Sequence, residues 1–315
     1  MDRYGQVVER FGGKTVVALA TCWTEDGEID FAAMKRYVNW LCTQKVPAIT
    51  TTYGYSEMCW MSDDDVWRLS ADLAEAIAGR CVFIASTLYW PPKVTRKFLK
   101  HADKAGVDAV KVQLNQWLMS GSAEQKARYW RQYFDLIKDA APIPLMLWAN
   151  FFGEAEVPVE TVVDLARDPQ IVGMKNDADP FYYYYDLLRA TTDENFVVMS
   201  GGQMRNWVYG YGVGKPALLS GISGFRPDID LTLHELLVAD RFREAWEHVE
   251  RYEDPFRNLW GGLHPQRCIH SALHMHGLYP NNLPGMMIRA HTPPEYEQLR
   301  EGLERIWGPI KKVNL

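Results

Sequence analysis

Short apolar runs and longer amphipathic segments alternate along the chain from residue 15 to residue 220. The apolar runs are rich in β-branched residues, which is typical of strands buried on both faces of a parallel sheet. Eight such strands are predicted, over residues 15–21, 48–52, 82–86, 109–114, 145–150, 171–175, 197–200 and 217–220. Eight strands that alternate with helices predict a (β/α)8 barrel, the α/β fold also called a TIM barrel.

Helix signals lie between these strands, where Asp30 is a predicted N-cap and Ser62 with Asp65 forms a predicted capping box. Beyond about residue 228 the pattern is wholly helical. We therefore predict a barrel domain over residues 1–227 and a C-terminal helical extension over residues 228–315. The alternative is an open doubly wound sheet, but no G-x-G-x-x-G motif follows the first strand. Helices in the extension are predicted over residues 233–240, 242–252, 255–276 and 294–307.

Composition excludes several classes of protein. With 47% hydrophobic and 23% charged residues, the chain is typical of globular domains. A net charge of -6 without basic blocks argues against a nucleic-acid partner. No apolar run reaches the roughly 20 residues that a membrane helix needs, and the start lacks a signal-peptide core. The five cysteines form no C-x-x-C pair, so we expect reduced thiols in a cytoplasmic protein.

The sixth predicted strand carries a lysine at its end, Lys175. In a barrel, the carboxyl ends of the strands hold the chemistry. Burial there would lower the pKa of the amine, and a neutral amine condenses with the ketone of a 2-oxo acid to form a Schiff base. The alternative is a lysine that reaches solvent or pairs with Asp177. Lys111, on the fourth strand, is a rival amine, but its mid-strand position favours packing inside the barrel.

Five short motifs resemble the dihydrodipicolinate synthase / N-acetylneuraminate lyase family in their order and spacing. They are Asp26–Asp30 (DGEID), Tyr53–Glu57 (YGYSE), Gly173–Lys175 (GMK), Ser200–Gly202 (SGG) and Ser220–Ser223 (SGIS). The resemblance covers about residues 16–252. It implies a pyruvate-dependent class I aldolase, hydratase-aldolase or dehydratase that forms homo-oligomers, usually tetramers. It also implies that Lys175 is the Schiff-base lysine and that no metal or other cofactor is needed.

The resemblance also implies roles for residues at the other strand ends. The family's Gly-Thr-Thr-Gly-Glu loop, which holds the carboxylate of the 2-oxo acid, is YGYSE here. The family's proton-relaying tyrosine on the fifth strand is replaced by Trp148, so Tyr55 is the second predicted catalytic residue beside Lys175. The predicted substrate-binding residues are Gly54, Ser56, Glu57, Trp117, Trp148, Asn150, Ser200, Gly201 and Ser220.

The second substrate is predicted to be apolar or aromatic. Trp117 and the stretch Trp148–Asn150 are similar to the branch that contains trans-o-hydroxybenzylidenepyruvate hydratase-aldolase, which handles aromatic aldehydes. Dihydrodipicolinate synthases bind a carboxylated second substrate through an arginine that should fall near residues 153–156, where this chain has none. The expected function is therefore a Schiff-base lyase that joins or separates pyruvate, or a related 2-oxo acid, and an apolar aldehyde.

Two other functions stay open. A family member without lyase activity could bind a 2-oxo acid as a sensor or scaffold, which Trp148 and the missing threonines favour. A sugar-acid dehydratase could use the same lysine.

Several residues have structural alternatives to a role in the site. Glu57 is either a general base or a loop carboxylate that accepts backbone N–H groups. Asp177 and Asp179 are predicted helix caps. The run Tyr182–Tyr185 is predicted to lie in the core and a subunit interface. The group His264, His270, His274 and His276 is predicted to pack on a helix, with zinc binding as the alternative.

Overall fold

The computed structural model describes residues 2–114, 121–148, 157–177 and 181–315. Its centre is a closed barrel of eight parallel strands in chain order, β1 to β8, with β8 paired to β1. The predicted (β/α)8 barrel with C-terminal helices is thereby confirmed. The strands are β1 Thr15–Ala18, β2 Ala48–Thr50, β3 Val82–Ser86, β4 Ala109–Gln113, β5 Leu145–Trp148, β6 Ile171–Asn176, β7 Val197–Gly201 and β8 Ala217–Ser220.

Helices surround the barrel, and the predicted caps are present. Asp30 accepts a hydrogen bond from the N–H of Ala33, and Ser62 and Asp65 form a reciprocal capping box. The helices are α1 Arg3–Phe11, α2 Phe31–Thr43, α3 Asp63–Ile77, α4 Pro92–Ala105, α5 Ala123–Ile137, α6 Val159–Ala166, α7 Phe181–Ala190, α8 Met204–Gly214, α9 Pro227–Val238, α10 Phe242–Leu263, α11 Pro265–Met275 and α12 Pro293–Trp307.

Two apolar clusters hold the barrel together. The larger lies between the sheet and the surrounding helices, and the smaller fills the barrel interior. Helix α1, which the sequence analysis does not predict, contributes Val7 and Phe11 to the interior cluster. Both side chains are at most 3% exposed. Because α1 contacts β3 and β6, it closes one end of the barrel.

The C-terminal helices differ from prediction at two points. Helix α9 begins at Pro227, six positions before its predicted start at residue 233. Pro255 is a predicted helix start, but it lies inside α10, which runs on to Leu263. The break comes instead at His264, whose φ is +68°, directly before Pro265. The residue before a proline is disfavoured in the helical region, so the chain turns there. Helix α9 contacts β1 and α8, and the division at residues 227 and 228 stays a prediction.

The tyrosine run on α7 divides between core and surface. Tyr183 and Tyr184 are buried, whereas Tyr182 is 69% and Tyr185 41% exposed. A subunit interface at this surface, and the homo-oligomer itself, stay predictions. Within the described ranges no helix is both long and apolar enough to cross a bilayer.

Candidate active site

A cavity of about 420 Å³ opens at the carboxyl ends of the strands, between the barrel and helix α10. Chemistry in this fold takes place at that end of the barrel. The predicted site residues in the cavity wall are Lys175, Tyr55, Gly54, Trp148, Gly201 and Ser220. Four of the five sequence motifs therefore contribute residues to one cavity, and the motif Asp26–Asp30 does not.

Lys175 is a buried amine in this wall. Its side chain is only 5% exposed, and strand pairing sets it beside Trp148, whose ring centroid is 5.8 Å from Nζ. Nζ also donates to Oδ1 of Asp177. Gly201 leaves room for this carboxylate, because a Cβ at position 201 would collide with it. Burial lowers the pKa of Lys175, and the Asp177 carboxylate partly offsets this by raising it. Lys175 thus loses its proton more easily than a surface lysine does.

Asp177 pairs with Lys175 rather than capping a helix. Helix α7 begins at Phe181, four positions further along the chain, which is too far for a cap. The predicted alternative of a Lys175–Asp177 pair is therefore present, with Lys175 buried and Asp177 partly exposed in the cavity wall. Asp179 lies outside the described residues.

The Asp177→Asn substitution is expected to shift the pH dependence of the Lys175 amine. Removing the carboxylate removes the contribution that raises the pKa of Lys175, so the amine becomes neutral at lower pH. The rate of reductive alkylation by pyruvate and cyanoborohydride should then level off at lower pH than in the wild type. Asp193→Asn, at an exposed position after α7, should leave the profile unchanged. A profile that moves to higher pH in Asp177→Asn would contradict this assignment.

Lys111 points into the barrel but does not line the cavity. It is fully buried, with Nζ 4.6 Å from the ring centroid of Trp148. Nζ donates to Oγ1 of Thr50 at 3.3 Å and to the carbonyl of Thr51 at 3.2 Å. Burial lowers the pKa of Lys111 well below its usual range, and the nearby charge of Lys175 lowers it further. The mid-strand packing predicted for Lys111 is what the structure shows.

Tyr55 and Gly54 bring the loop after β2 to the cavity. The Tyr55 hydroxyl donates to the carbonyl of Gly221 at 3.0 Å, and a Cβ on Gly221 would collide with the tyrosine ring. Burial raises the pKa of Tyr55 well above its usual value, so the phenol stays protonated near neutrality. It can take part in proton transfer only by passing a proton along a hydrogen bond.

Ser56 lies behind the cavity wall rather than in it. Its Oγ donates to the carbonyl of Leu19 and accepts from the backbone N–H of Thr52 at 2.9 Å. These bonds fix the shape of the loop after β2. The hydroxyl predicted to hold a substrate carboxylate is therefore already engaged within the protein.

Glu57 also lies outside the cavity wall. Its carboxylate is buried and accepts hydrogen bonds from Nε1 of Trp23 at 2.8 Å, Nε2 of His270 at 2.9 Å and the N–H of Gly285 at 3.0 Å. These partners lie after β1, on α11 and in the segment before α12. The contacts favour the structural alternative for Glu57, which ties the barrel loops to the C-terminal helices.

The remaining predicted residues divide among several places. Ser220 lines the cavity, with its Oγ accepting from the N–H of Ser223 at 3.2 Å. Ser200 is fully buried below the cavity and donates to the carbonyl of Ala217. Trp117 and Asn150 lie outside the described residues. Their predicted roles in substrate binding stay predictions.

Helix α10 supplies cavity residues that the sequence analysis does not single out. They include Glu253, Arg257 and Trp260. No motif signals them, because they follow the last strand by more than a helix and belong to no strand end. Only the closed fold brings α10 over the mouth of the barrel.

Two of the four histidines in the predicted group contact other side chains. His270 donates to Glu57, and Nδ1 of His274 lies 2.8 Å from the hydroxyl of Tyr296. Within the residues described, no three His, Cys, Asp or Glu side chains are placed to hold a metal ion together.

Known proteins of similar sequence and fold identify the family of this chain. A 4-hydroxy-tetrahydrodipicolinate synthase of Staphylococcus saprophyticus subsp. saprophyticus is 23% identical over 310 residues, covering 95% of this chain and 99% of that protein. The crystal structure of dihydrodipicolinate synthase from Oceanobacillus iheyensis has a TM-score of 0.82 at 19% identity, covering 96% of this chain and 98% of that one.

A second solved structure has the same fold and a bound 2-oxo acid. It is a prophage protein of E. coli K12 from the dihydrodipicolinic acid synthase family, in complex with pyruvate. Its TM-score is 0.80 at 17% identity, over 93% of this chain and 98% of that one. The model of the dihydrodipicolinate synthetase family matches residues 12–293. Because that match spans most of the chain, the protein belongs to the dihydrodipicolinate synthetase family.

Proposed function

We propose that this protein is a Schiff-base-forming lyase, of the class I aldolase or hydratase-aldolase type, that acts on pyruvate or a related 2-oxo acid. The observation that carries the proposal is the setting of Lys175, a buried amine with a lowered pKa in a cavity wall at the carboxyl end of β6. A larger fraction of such an amine is neutral, and therefore nucleophilic, than of a surface lysine at the same pH. The pyruvate complex of a protein with the same fold supports the choice of substrate.

The proposed chemistry begins when the neutral Nζ of Lys175 attacks the ketone carbon of the 2-oxo acid. Loss of water from the resulting carbinolamine gives a protonated imine. The imine draws electrons from C3, so that a C3 proton leaves or a carbon–carbon bond to C3 breaks. Asp177 contacts Nζ and is placed to hold a proton during these steps.

Proton transfer beyond Asp177 is assigned to Tyr55. It lies in the same cavity wall, and its hydroxyl both donates to the carbonyl of Gly221 and can accept from a substrate or water. Trp148 cannot replace it, because the indole N–H only donates. The N–H of Trp148 is buried without a partner among the described residues, so it can donate to a substrate oxygen.

The second substrate is proposed to be an apolar or aromatic aldehyde. Large apolar side chains take up much of the cavity wall, among them Trp148, Phe256 and Trp260. Aromatic walls of this kind favour apolar groups, and a few polar groups then fix the orientation. A sugar acid needs several hydrogen-bond partners for its hydroxyl groups, so this aromatic wall favours it less than it favours an apolar aldehyde.

Trapping with pyruvate and borohydride tests the proposal. Reduction of the imine should add the mass of pyruvic acid less one oxygen atom to the peptide that contains Lys175. Lys111→Met removes the other buried amine and should be labelled like the wild type. Saturable thermal stabilisation by pyruvate without any label would instead identify a 2-oxo-acid binder without lyase chemistry. A label confined to Lys111 would show that the reactive amine is assigned wrongly.

A further inference from the structure

Glu253 of α10 brings a second carboxylate to the wall of the same cavity. Its side chain is only 3% exposed, although glutamate is rarely buried. Its oxygens accept from the backbone N–H of Met204 at 2.9 Å and that of Arg205 at 3.4 Å. These are the first two N–H groups of α8, so the carboxylate occupies the end of that helix that attracts anions.

Arg257 lies one turn further along α10 and is also engaged. Its Nε is 3.3 Å from Oε1 of Glu253, and its Nη2 donates to the carbonyl of Gly202. Lys175 is likewise paired, with Asp177. Among the described residues of the cavity wall, both cations therefore already have a carboxylate partner.

We infer that Glu253 makes this cavity select against second substrates that carry an anionic group. The inference rests on the proposed lyase function, for which it narrows the class of aldehyde. A carboxylate or phosphate that entered beside α10 would meet the Glu253 charge in a largely desolvated wall, where like charges repel strongly. The groups that could attract it already have Glu253 beside them, since its carboxylate accepts from the first two N–H groups of α8 and forms an ion pair with Arg257.

Removing the Glu253 carboxylate should create a site that binds anions. In a Glu253→Ala variant, the N–H groups of Met204 and Arg205 and the guanidinium of Arg257 would face a space the size of a carboxylate. Two backbone N–H groups at a helix N-terminus with an arginine form an anion site. The structure therefore predicts that Glu253→Ala binds anions more tightly than the wild type does.

Anion binding is the first measurement. The thermal unfolding midpoint is followed with increasing inorganic phosphate for the wild type, Glu253→Ala and Glu250→Ala. Glu250 is an exposed residue on the same helix. The thermal unfolding midpoint of Glu253→Ala should rise with phosphate concentration and then saturate. The midpoints of the other two proteins should rise only weakly and without saturation. A Glu253→Ala response equal to that of the wild type would overturn the inference.

Selectivity between two aldehydes is the second measurement. The enamine formed from pyruvate attacks the aldehyde carbon, the aldehyde oxygen takes a proton, and hydrolysis of the imine releases a 4-hydroxy-2-oxo acid. Benzaldehyde and 4-carboxybenzaldehyde differ only in the anionic group. The rate ratio of the carboxylated to the uncharged aldehyde should rise about 10-fold or more in Glu253→Ala. An unchanged ratio would contradict the role of Glu253.

Glu253→Gln separates charge from size and replaces the alanine variant if that variant does not fold. It keeps one acceptor for α8 and removes the charge, so the rate ratio should move in the same direction by a smaller factor. Pyruvate trapping at Lys175, measured on every variant, reports separately on the proposed function. If no protein is trapped, the lyase proposal fails and the phosphate titration alone decides whether Glu253 excludes anions.

Discussion

The Lys175→Arg variant is expected to lose at least about 10⁴-fold of the activity toward pyruvate. Arginine keeps a positive charge beside Asp177 but cannot lose its proton or form an imine. Exchange of the pyruvate methyl protons with deuterated water measures the loss, because the imine alone makes those protons acidic. This assay needs no second substrate.

Lys111→Met is the matched control for this prediction. Lys111 is the other buried amine near Trp148, and methionine has nearly its length without the charge. Exchange should continue in Lys111→Met. Persistence of exchange in Lys175→Arg together with its disappearance in Lys111→Met would move the chemistry to the fourth strand and refute the assignment of Lys175.

The Glu57→Ala variant is expected to lose about 3–5 kcal/mol of the free energy of unfolding. Its carboxylate accepts from the indole of Trp23, the imidazole of His270 and the N–H of Gly285. Alanine leaves all three buried donors without their acceptor and opens a cavity among them. Urea denaturation measures the change.

The comparison for Glu57 is Glu25→Ala, at an exposed position in the loop after β1. That variant should stay within about 0.5 kcal/mol of the wild type. Deuterium exchange of pyruvate at temperatures where Glu57→Ala remains folded should be nearly normal, because Glu57 does not line the cavity. A stable but inactive Glu57→Ala would restore the alternative of a general base.

The sequence predicts the barrel well because each strand is defined locally. All eight strands lie within or beside their predicted ranges, and the caps at Asp30 and Ser62 begin the predicted helices. Helix α1 is not predicted, although it carries local helix signals: the Asp2 side chain caps it by accepting from the N–H of Gly5, and Val7 and Phe11 lie four positions apart on its buried face. Its place in the interior cluster depends on the closed barrel, which no local pattern describes.

The candidate site is predicted most directly where a residue lies at the end of a strand. Lys175 and Trp148 are such residues, and both line the cavity. In the loop after β2 the direction of each side chain is set by tertiary contacts. Glu57 has a φ of +54° and turns toward His270, more than two hundred positions away in sequence. Residue type and spacing alone cannot show that turn.

Helix α10, which covers the cavity, belongs to the part of the chain that follows the barrel strands. The reactive amine and the groups that shape the space beside it are therefore encoded by separate stretches of sequence. Under the proposed function, substitutions at Glu253, Phe256 or Trp260 are expected to change which second substrate is accepted, while the strands that hold Lys175 stay intact. Substrate range and the reactive amine can therefore be altered independently in this fold, the first through one helix and the second through one strand.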